Sequence, residues 1–184
     1  MKISKLLGVF VVTFGLPGVA HEVPVGADRP FEMLLRNGGL RERAELITPS
    51  LKTKLAETVL QENTSLMSPA PRLSLAHTYA VISTLHPQNW EIIQIGQLST
   101  QYTHGGAEMY VVTLDGGYGN NPVCQINGII LTQYKIETVT NSSGVVLGFL
   151  HYYNACGFQG GTWTYQNTSS NSPWNTISDY CNIQ

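Results

Sequence analysis

The density of charge along the chain changes at Arg72, and this change constrains the fold more than any other feature of the sequence. From Asp28 to Arg72 acidic and basic residues are closely spaced and mixed in sign, as on the solvated faces of helices. After Arg72 charged residues become sparse, and Gly, Asn, Thr, Ser, Gln and Tyr predominate. No linker-like segment or internal repeat separates the two parts. We therefore predict one domain over residues 21–184, with helices first and strands after.

Helix signals are found in the charged part. Asp28 and Pro30 suit the cap and the first turn of a helix. Thr48 suits a second cap, and Pro49 suits the first helical position after it. The apolar residues Leu51, Leu55 and Val59 follow at a spacing of four, which is helical. The segment Ser68–Leu85 is ambiguous, although the spacing of its apolar residues fits a helix. We expect the helices to lie between about residues 30 and 85.

From Trp90 onward the pattern is typical of β-strands joined by turns. The predicted pieces are a hairpin of Trp90–Tyr102 and Ala107–Asp115, a hairpin of Ile129–Thr140 and Val145–Ala155, and a strand at Gly161–Asn167 before a loop-like tail. A register that pairs Thr140 with Val145 gathers apolar residues on one face of the second hairpin, including Tyr134 and His151. The expected fold class is α+β, with N-terminal helices packed on a twisted antiparallel sheet.

This order of elements and three segments resemble a known superfamily. Glu45–Leu51 is similar to its helix after a Leu-x-Thr-Pro step, and the long hairpins are similar too, above all Tyr134–Glu137 through Gly144–Phe149. Over about Phe31 to Ala155 the chain resembles the NTF2-like superfamily of cystatin-like α+β folds. The resemblance implies a cone whose inner sheet face forms a pocket, or a sheet surface used for dimers. It assigns no catalytic residue, because no catalytic motif of a subfamily is matched.

Residues 1–20 have the features of a secretory signal peptide. Lys2 and Lys5 precede the apolar run Leu6–Leu16, and small residues follow at Gly18 and Ala20. The run is shorter than the roughly 20 apolar residues of a membrane-spanning helix. We therefore expect a secreted or periplasmic protein with no membrane span in the mature chain. Nucleic acid is not an expected partner, because the chain has no cluster of Lys and Arg to contact phosphates.

Three cysteines lie in the last third of the chain, and export would place them in an oxidising compartment. We predict one disulfide that includes Cys156. A bridge from Cys156 to Cys181 is favoured, because it would hold a polar tail that burial alone would not hold. A bridge from Cys124 to Cys156 is the alternative.

Histidine provides the candidate catalytic and metal-binding groups. In the register above His151 faces Tyr134, and Asp115 at the end of another strand could orient its ring, as for a general base. A core histidine satisfied by a backbone carbonyl or a tyrosine is the alternative. His21, the first residue after the predicted cleavage, could bind copper through its amine and ring. That site would need a second ligand from His77, His86, His104 or His151.

Three aromatic residues lie among neutral hydrogen-bonding residues near the C-terminus. Trp163, Tyr165 and Trp174 could stack on sugar rings, although alternation in this segment also fits packing in the core. Overall we predict an exported, non-catalytic binding protein whose sheet face or pocket takes a partner protein or a small ligand, without a cofactor and with a homodimer as an option. A small-pocket hydrolase or isomerase using His151 and a secreted glycan-binding protein are the alternatives.

Overall fold

The structure, a computed structural model, describes residues 39–42 and 70–184. Within these residues the chain forms nine strands and one short helical turn at residues 40–42. The strands are β1 (Leu75–Ser83), β2 (Glu91–Ile92), β3 (Met109–Gly116), β4 (Val123–Ile126), β5 (Ile129–Ile130), β6 (Thr132–Thr140), β7 (Val146–Asn154), β8 (Gly161–Thr168) and β9 (Thr176–Ile183).

The strands form two antiparallel sheets. The first sheet has the strand order β2-β1-β3-β7-β6, and the second has the order β5-β4-β8-β9. Apolar side chains from both sheets share one buried cluster, with Val111 and Tyr153 from the first sheet and Ile126 and Trp163 from the second. The described part of the chain is therefore a β-sandwich whose principal core lies between the two sheets.

The central strands of the first sheet, β1, β3 and β7, are buried on both of their faces, and their sequences reflect this. Every residue of β3 is buried, so this strand is almost continuously apolar and does not alternate. On the face turned away from the second sheet, Val112 and Leu150 pack in another buried cluster that includes Leu40 from the helical turn. The backbone N–H of Leu40 donates to Glu108 Oε2 over 2.9 Å, which holds the turn at this face.

The second sheet alternates, because only one of its faces is buried. On β8 the side chains of Trp163, Tyr165 and Asn167 are buried against the first sheet, and those of Thr164 and Gln166 point outward. The outer face of this sheet is consequently polar.

The predicted α+β fold is wrong for the described residues, which form two packed sheets instead of helices on one sheet. The ambiguous segment Ser68–Leu85 contains β1, not a helix. Its apolar residues at helical spacing are also compatible with a strand buried on both faces, and Val81 and Ile82 favour that strand. The NTF2-like cone is overturned by the same finding. The other predicted helices, between residues 28 and 60, lie outside the described residues except at 40–42.

Strand pairing was predicted correctly for one hairpin of two. β6 and β7 pair as a hairpin, as expected, but the predicted register is wrong, because Thr140 pairs with Val146 and not with Val145. The segment Ala107–Asp115 does form a strand, but it pairs with β1 and β7 and not with Trp90–Tyr102. The predicted loop-like tail is also wrong, because β9 pairs with β8 along its whole length.

The predicted disulfide is absent, since Cys124, Cys156 and Cys181 are all free. Cys124 Sγ accepts a hydrogen bond from Trp163 Nε1 over 3.2 Å, and Trp163 is also the strand partner of Cys181. The argument for a bridge assumed that the tail needed a covalent tie. Strand pairing and the burial of Cys181 and Ile183 hold it instead.

Candidate functional site

Three buried or half-buried carboxylates each bind one histidine. His77 Nδ1 lies 2.6 Å from Asp179 Oδ2, His104 Nε2 lies 2.9 Å from Glu91 Oε2, and His151 Nε2 lies 3.0 Å from Asp115 Oδ2. Each pair joins segments that are distant in sequence. Their chemical capacity depends on whether the second ring nitrogen of each histidine is available.

The structure brings two of the three predicted catalytic residues together. Asp115 is 1% exposed, and its Oδ2 binds both His151 and Asn167, whose Nδ2 donates over 2.5 Å. Its Oδ1 accepts a hydrogen bond from the Tyr165 hydroxyl over 2.9 Å. This network places a carboxylate between the sheets and gives it three donors, as a buried charge requires.

The second ring nitrogen of His151 is occupied. Nδ1 lies 3.0 Å from the side-chain amide of Gln133, which can serve that nitrogen in either orientation of the amide. A general base needs a ring nitrogen that can reach a substrate proton. The hydrogen bonds of the His151 ring therefore connect β3, β6 and β7, and they do not favour catalysis by His151.

Tyr134 is separated from His151, so their predicted contact is wrong. His151 pairs with Ile136 across the hairpin, and the register shifts between Gln133 and Lys135, at Tyr134. The Tyr134 ring instead packs near Tyr152, on the face of the sheet that is turned away from the second sheet. A bulge at one residue reverses the side that the following residues face, and the sequence pattern did not show it.

A second histidine network was missed by sequence reasoning. His104 Nδ1 lies 3.1 Å from Ser83 Oγ, and the ring's other nitrogen binds Glu91. Burial lowers the pKa of His104 against the opposing effect of Glu91, so the neutral ring accepts from Ser83 and donates to Glu91. The order Ser–His–Glu is that of a hydrolase triad, but Ser83 is fully buried and has no access to a substrate. No local sequence motif links these three residues. The available signal in the sequence was that Glu91 is one of the few acidic residues after Arg72.

The predicted aromatic row is not formed on the surface. Trp163 and Tyr165 are buried between the sheets, and of the three residues only Trp174 is exposed. The alternation of Trp163 and Tyr165 with threonines on β8 is consistent with this core position.

A groove instead lies on the second sheet and crosses β4, β8 and β9. It has a volume of about 340 Å³, and it is lined by Val123, Gln125, Thr164, Tyr165, Gln166, Ser178, Asp179 and Tyr180. Tyr165 on β8 and Asp179 on β9 are directly paired across these neighbouring strands. Both turn their side chains toward the first sheet. The outward side chains of the groove are therefore neutral, and Tyr180 is 48% exposed among them.

Asp179 connects this groove to the first sheet. Its Oδ2 binds His77 Nδ1 and also accepts hydrogen bonds from the backbone N–H and the hydroxyl of Thr78, over 2.9 and 2.8 Å. Burial raises the pKa of Asp179, but the hydrogen bonds from His77 and Thr78 outweigh it and lower the pKa to about 2. The carboxylate is thus committed to β1, which fixes the position of β9 at the side of the groove.

Metal and membrane sites find no support among the residues that the structure describes. No group of three or more His, Cys, Asp or Glu side chains is placed to hold a metal ion there. Over residues 39–42 and 70–184, no helix is long and apolar enough to cross a membrane. His21 lies outside the described residues, so the copper hypothesis stays a prediction.

Fold and groove together define a two-sheet antiparallel β-sandwich with a neutral groove on its smaller sheet. The chain belongs to the family described as Domain of unknown function (DUF4879), whose model matches residues 68–183. No curated protein matches the chain. The matched segment covers all nine strands of the sandwich.

Proposed function

We propose that this domain is a non-catalytic binding protein that holds a neutral glycan in the groove across β4, β8 and β9. The observation that carries the proposal is the lining of the groove. Its outward side chains combine an exposed tyrosine with amides and hydroxyls, namely Gln125, Thr164, Gln166, Ser178 and Tyr180.

The chemistry of this lining fits a sugar better than a charged ligand. A tyrosine ring offers an apolar face on which the C–H face of a sugar can stack, and its hydroxyl can still form a hydrogen bond. Amides and hydroxyls both donate and accept hydrogen bonds, as sugar hydroxyls require. β4, β8 and β9 turn no charged side chain outward, so an anionic ligand such as a phosphate would find no counter-charge in the groove.

The state of three of the four described histidines supports binding over catalysis. Each of His77, His104 and His151 has both ring nitrogens within hydrogen-bonding distance of another group. None of them lines the groove. The alternative of a hydrolase or isomerase using His151 therefore has less support than a binding site.

A direct binding experiment tests the proposal. The purified protein is incubated with insoluble cellulose and chitin and with a panel of soluble neutral and anionic oligosaccharides. Binding to at least one neutral glycan is expected, and replacing Tyr180 by alanine should weaken it about tenfold, a change of about 1.4 kcal/mol.

Tyr102 provides a matched control, because it is 50% exposed and lies outside the groove. Tyr102→Ala should leave glycan binding unchanged. Binding of anionic glycans alone, or an equal loss in the two alanine variants, would contradict the proposal.

The proposal includes export, as the features of residues 1–20 suggest. N-terminal sequencing of the protein recovered from its native host should begin at His21. Recovery of a chain that begins at Met1 would contradict export by a cleaved signal.

A further inference from the structure

The turn between β8 and β9 holds Trp174 in an unusual way. Its backbone has a φ of 52°, in the left-handed region that bulky residues rarely adopt, and the residue is 65% exposed. The backbone N–H of Trp174 donates to the carbonyl of Asn171 over 2.9 Å, and Ser169 N–H donates to the carbonyl of Asn175 over 2.9 Å. The turn is thus fixed by hydrogen bonds while it keeps a large aromatic residue in solvent.

The same turn is anchored to the rest of the sandwich. Ser170 N–H donates to the carbonyl of Tyr118 over 3.0 Å, and the Asn171 side chain donates to the carbonyl of Ala70 over 2.5 Å. The backbone of Trp174 is consequently held next to β9 by hydrogen bonds that do not depend on a ligand. A binding segment whose backbone is already ordered loses less conformational entropy when a ligand arrives.

Trp174 comes two residues before the start of β9, the strand that forms one side of the groove. Thr176, Ser178 and Tyr180 alternate outward along β9, and Thr176 and Tyr180 are about 13 Å apart at the usual rise of a strand. Between the groove and the turn the Thr168 and Thr176 hydroxyls lie 2.8 Å apart, so the neutral hydrogen-bonding surface continues beyond Ser178. Along the chain, the exposed aromatic residues Trp174 and Tyr180 therefore flank this neutral polar stretch.

From this arrangement we infer that the ligand is an extended oligosaccharide chain that occupies the groove at Tyr180 and continues along β9 to Trp174. The inference rests on the proposed function, since it names the form of the ligand for the same site. A single sugar would contact the groove alone. A chain would also stack on Trp174, so affinity should rise with chain length until that residue is reached.

The test measures affinity against chain length by calorimetry, with β-1,4-linked glucose and β-1,4-linked N-acetylglucosamine oligomers of two and six units as probes. The six-unit oligomer of the preferred sugar should bind about tenfold more tightly than the two-unit oligomer. Trp174→Ala should remove most of that gain and change the affinity for the two-unit oligomer less than about twofold, whereas Tyr180→Ala should weaken both.

Two variants and one fluorescence measurement distinguish a ligand contact at Trp174 from an effect of the substitution on folding. Trp174→Tyr keeps an aromatic ring and should retain most of the gain, and Ile95→Ala, at another exposed site, should retain all of it. The other two tryptophans, Trp90 and Trp163, are buried, so protection from acrylamide quenching by the long oligomer should be lost in Trp174→Ala.

The outcomes distinguish the two proposals. Equal affinity for short and long oligomers, with Trp174→Ala neutral and Tyr180→Ala impaired, would overturn the extended-chain inference and leave the groove as a glycan site. Absence of binding to every neutral glycan would overturn the proposed function and the inference together.

Discussion

His77 and Asp179 join the two sheets of the sandwich, because Nδ1 of the histidine on β1 lies 2.6 Å from Oδ2 of the aspartate on β9. The other ring nitrogen, Nε2, lies 2.9 Å from the carbonyl oxygen of Ile93, which can only accept a hydrogen bond. Both ring nitrogens of His77 therefore lie within hydrogen-bonding distance of an oxygen. The contact with Asp179 ties the side of the groove to the better-buried first sheet.

Acid should weaken the sandwich through this pair. The pKa of Asp179 is about 2 in the folded chain against its ordinary value of 3.8, so the folded state favours the ionised form. The stabilisation is complete above the unfolded pKa and is lost as the pH falls from about 4 to about 2. Asp179→Asn should lower the free energy of unfolding at pH 7 by about 2 kcal/mol and flatten its decline in that range.

Urea unfolding of the wild type and of Asp179→Asn at several pH values between 7 and 2.5 measures this effect. Ser178→Ala, at the neighbouring outward position, should keep the wild-type acid dependence. An Asp179→Asn variant with the same acid dependence as the wild type would contradict the role given to the Asp179 carboxylate.

His104 should act in a different pH range. Burial keeps its pKa below the ordinary value of 6.5, so below that pH the unfolded chain binds a proton more readily than the folded chain does. The contribution of His104 to stability is therefore complete above about pH 6.5, and it declines as the pH falls below that value. In NMR spectra the His104 ring should titrate below pH 6.5, and His104→Gln should reduce the loss of stability between pH 7 and 5. A His104 ring that titrates above 6.5 would contradict the buried, neutral state.

The parts of the fold that could be predicted from the sequence are those that local patterns specify. The hairpin of β6 and β7 was found because a turn at Asn141–Gly144 separates two alternating segments. β1 was ambiguous because a strand buried on both faces does not alternate. β9 was missed because four of its eight residues are Thr, Ser, Asp or Asn, and its assignment depends on pairing with β8.

The candidate site was less predictable because it depends on contacts between distant residues. The guess that Asp115 lies beside His151 was correct in geometry, but the role of Gln133 as the second partner followed only from the bulge at Tyr134. The groove could not be predicted, because β4 and β8 are neighbours in the second sheet although three other strands separate them in the chain.

The three thiols should differ in reactivity. Burial raises the pKa of Cys124 and of Cys181 to about 12, so neither forms a thiolate at pH 8, and both side chains are inaccessible. Cys156 is only half-buried. Ellman's reagent at pH 8 should modify one thiol per folded chain and three after denaturation. Cys156→Ser should abolish the native reaction. If no thiol reacts even after denaturation, the cysteines are not free. If all three react in the folded chain, their predicted difference in reactivity is wrong.

Trp163 and Trp174 belong to the same hairpin, with Trp163 on β8 and Trp174 in the turn before β9. They should nevertheless differ sharply in their contribution to the free energy of unfolding. Trp163 is fully buried between the sheets and donates its indole N–H to Cys124 Sγ, so Trp163→Ala leaves a large cavity and should cost about 3–5 kcal/mol. Trp174 is 65% exposed, and alanine at the same backbone angles is no more strained than tryptophan, so Trp174→Ala should change stability by less than about 0.5 kcal/mol. Chemical unfolding followed by circular dichroism measures both variants without depending on tryptophan fluorescence. Comparable losses in the two variants would mean that Trp174 supports the fold, and its role as an exposed contact for a ligand would then be wrong.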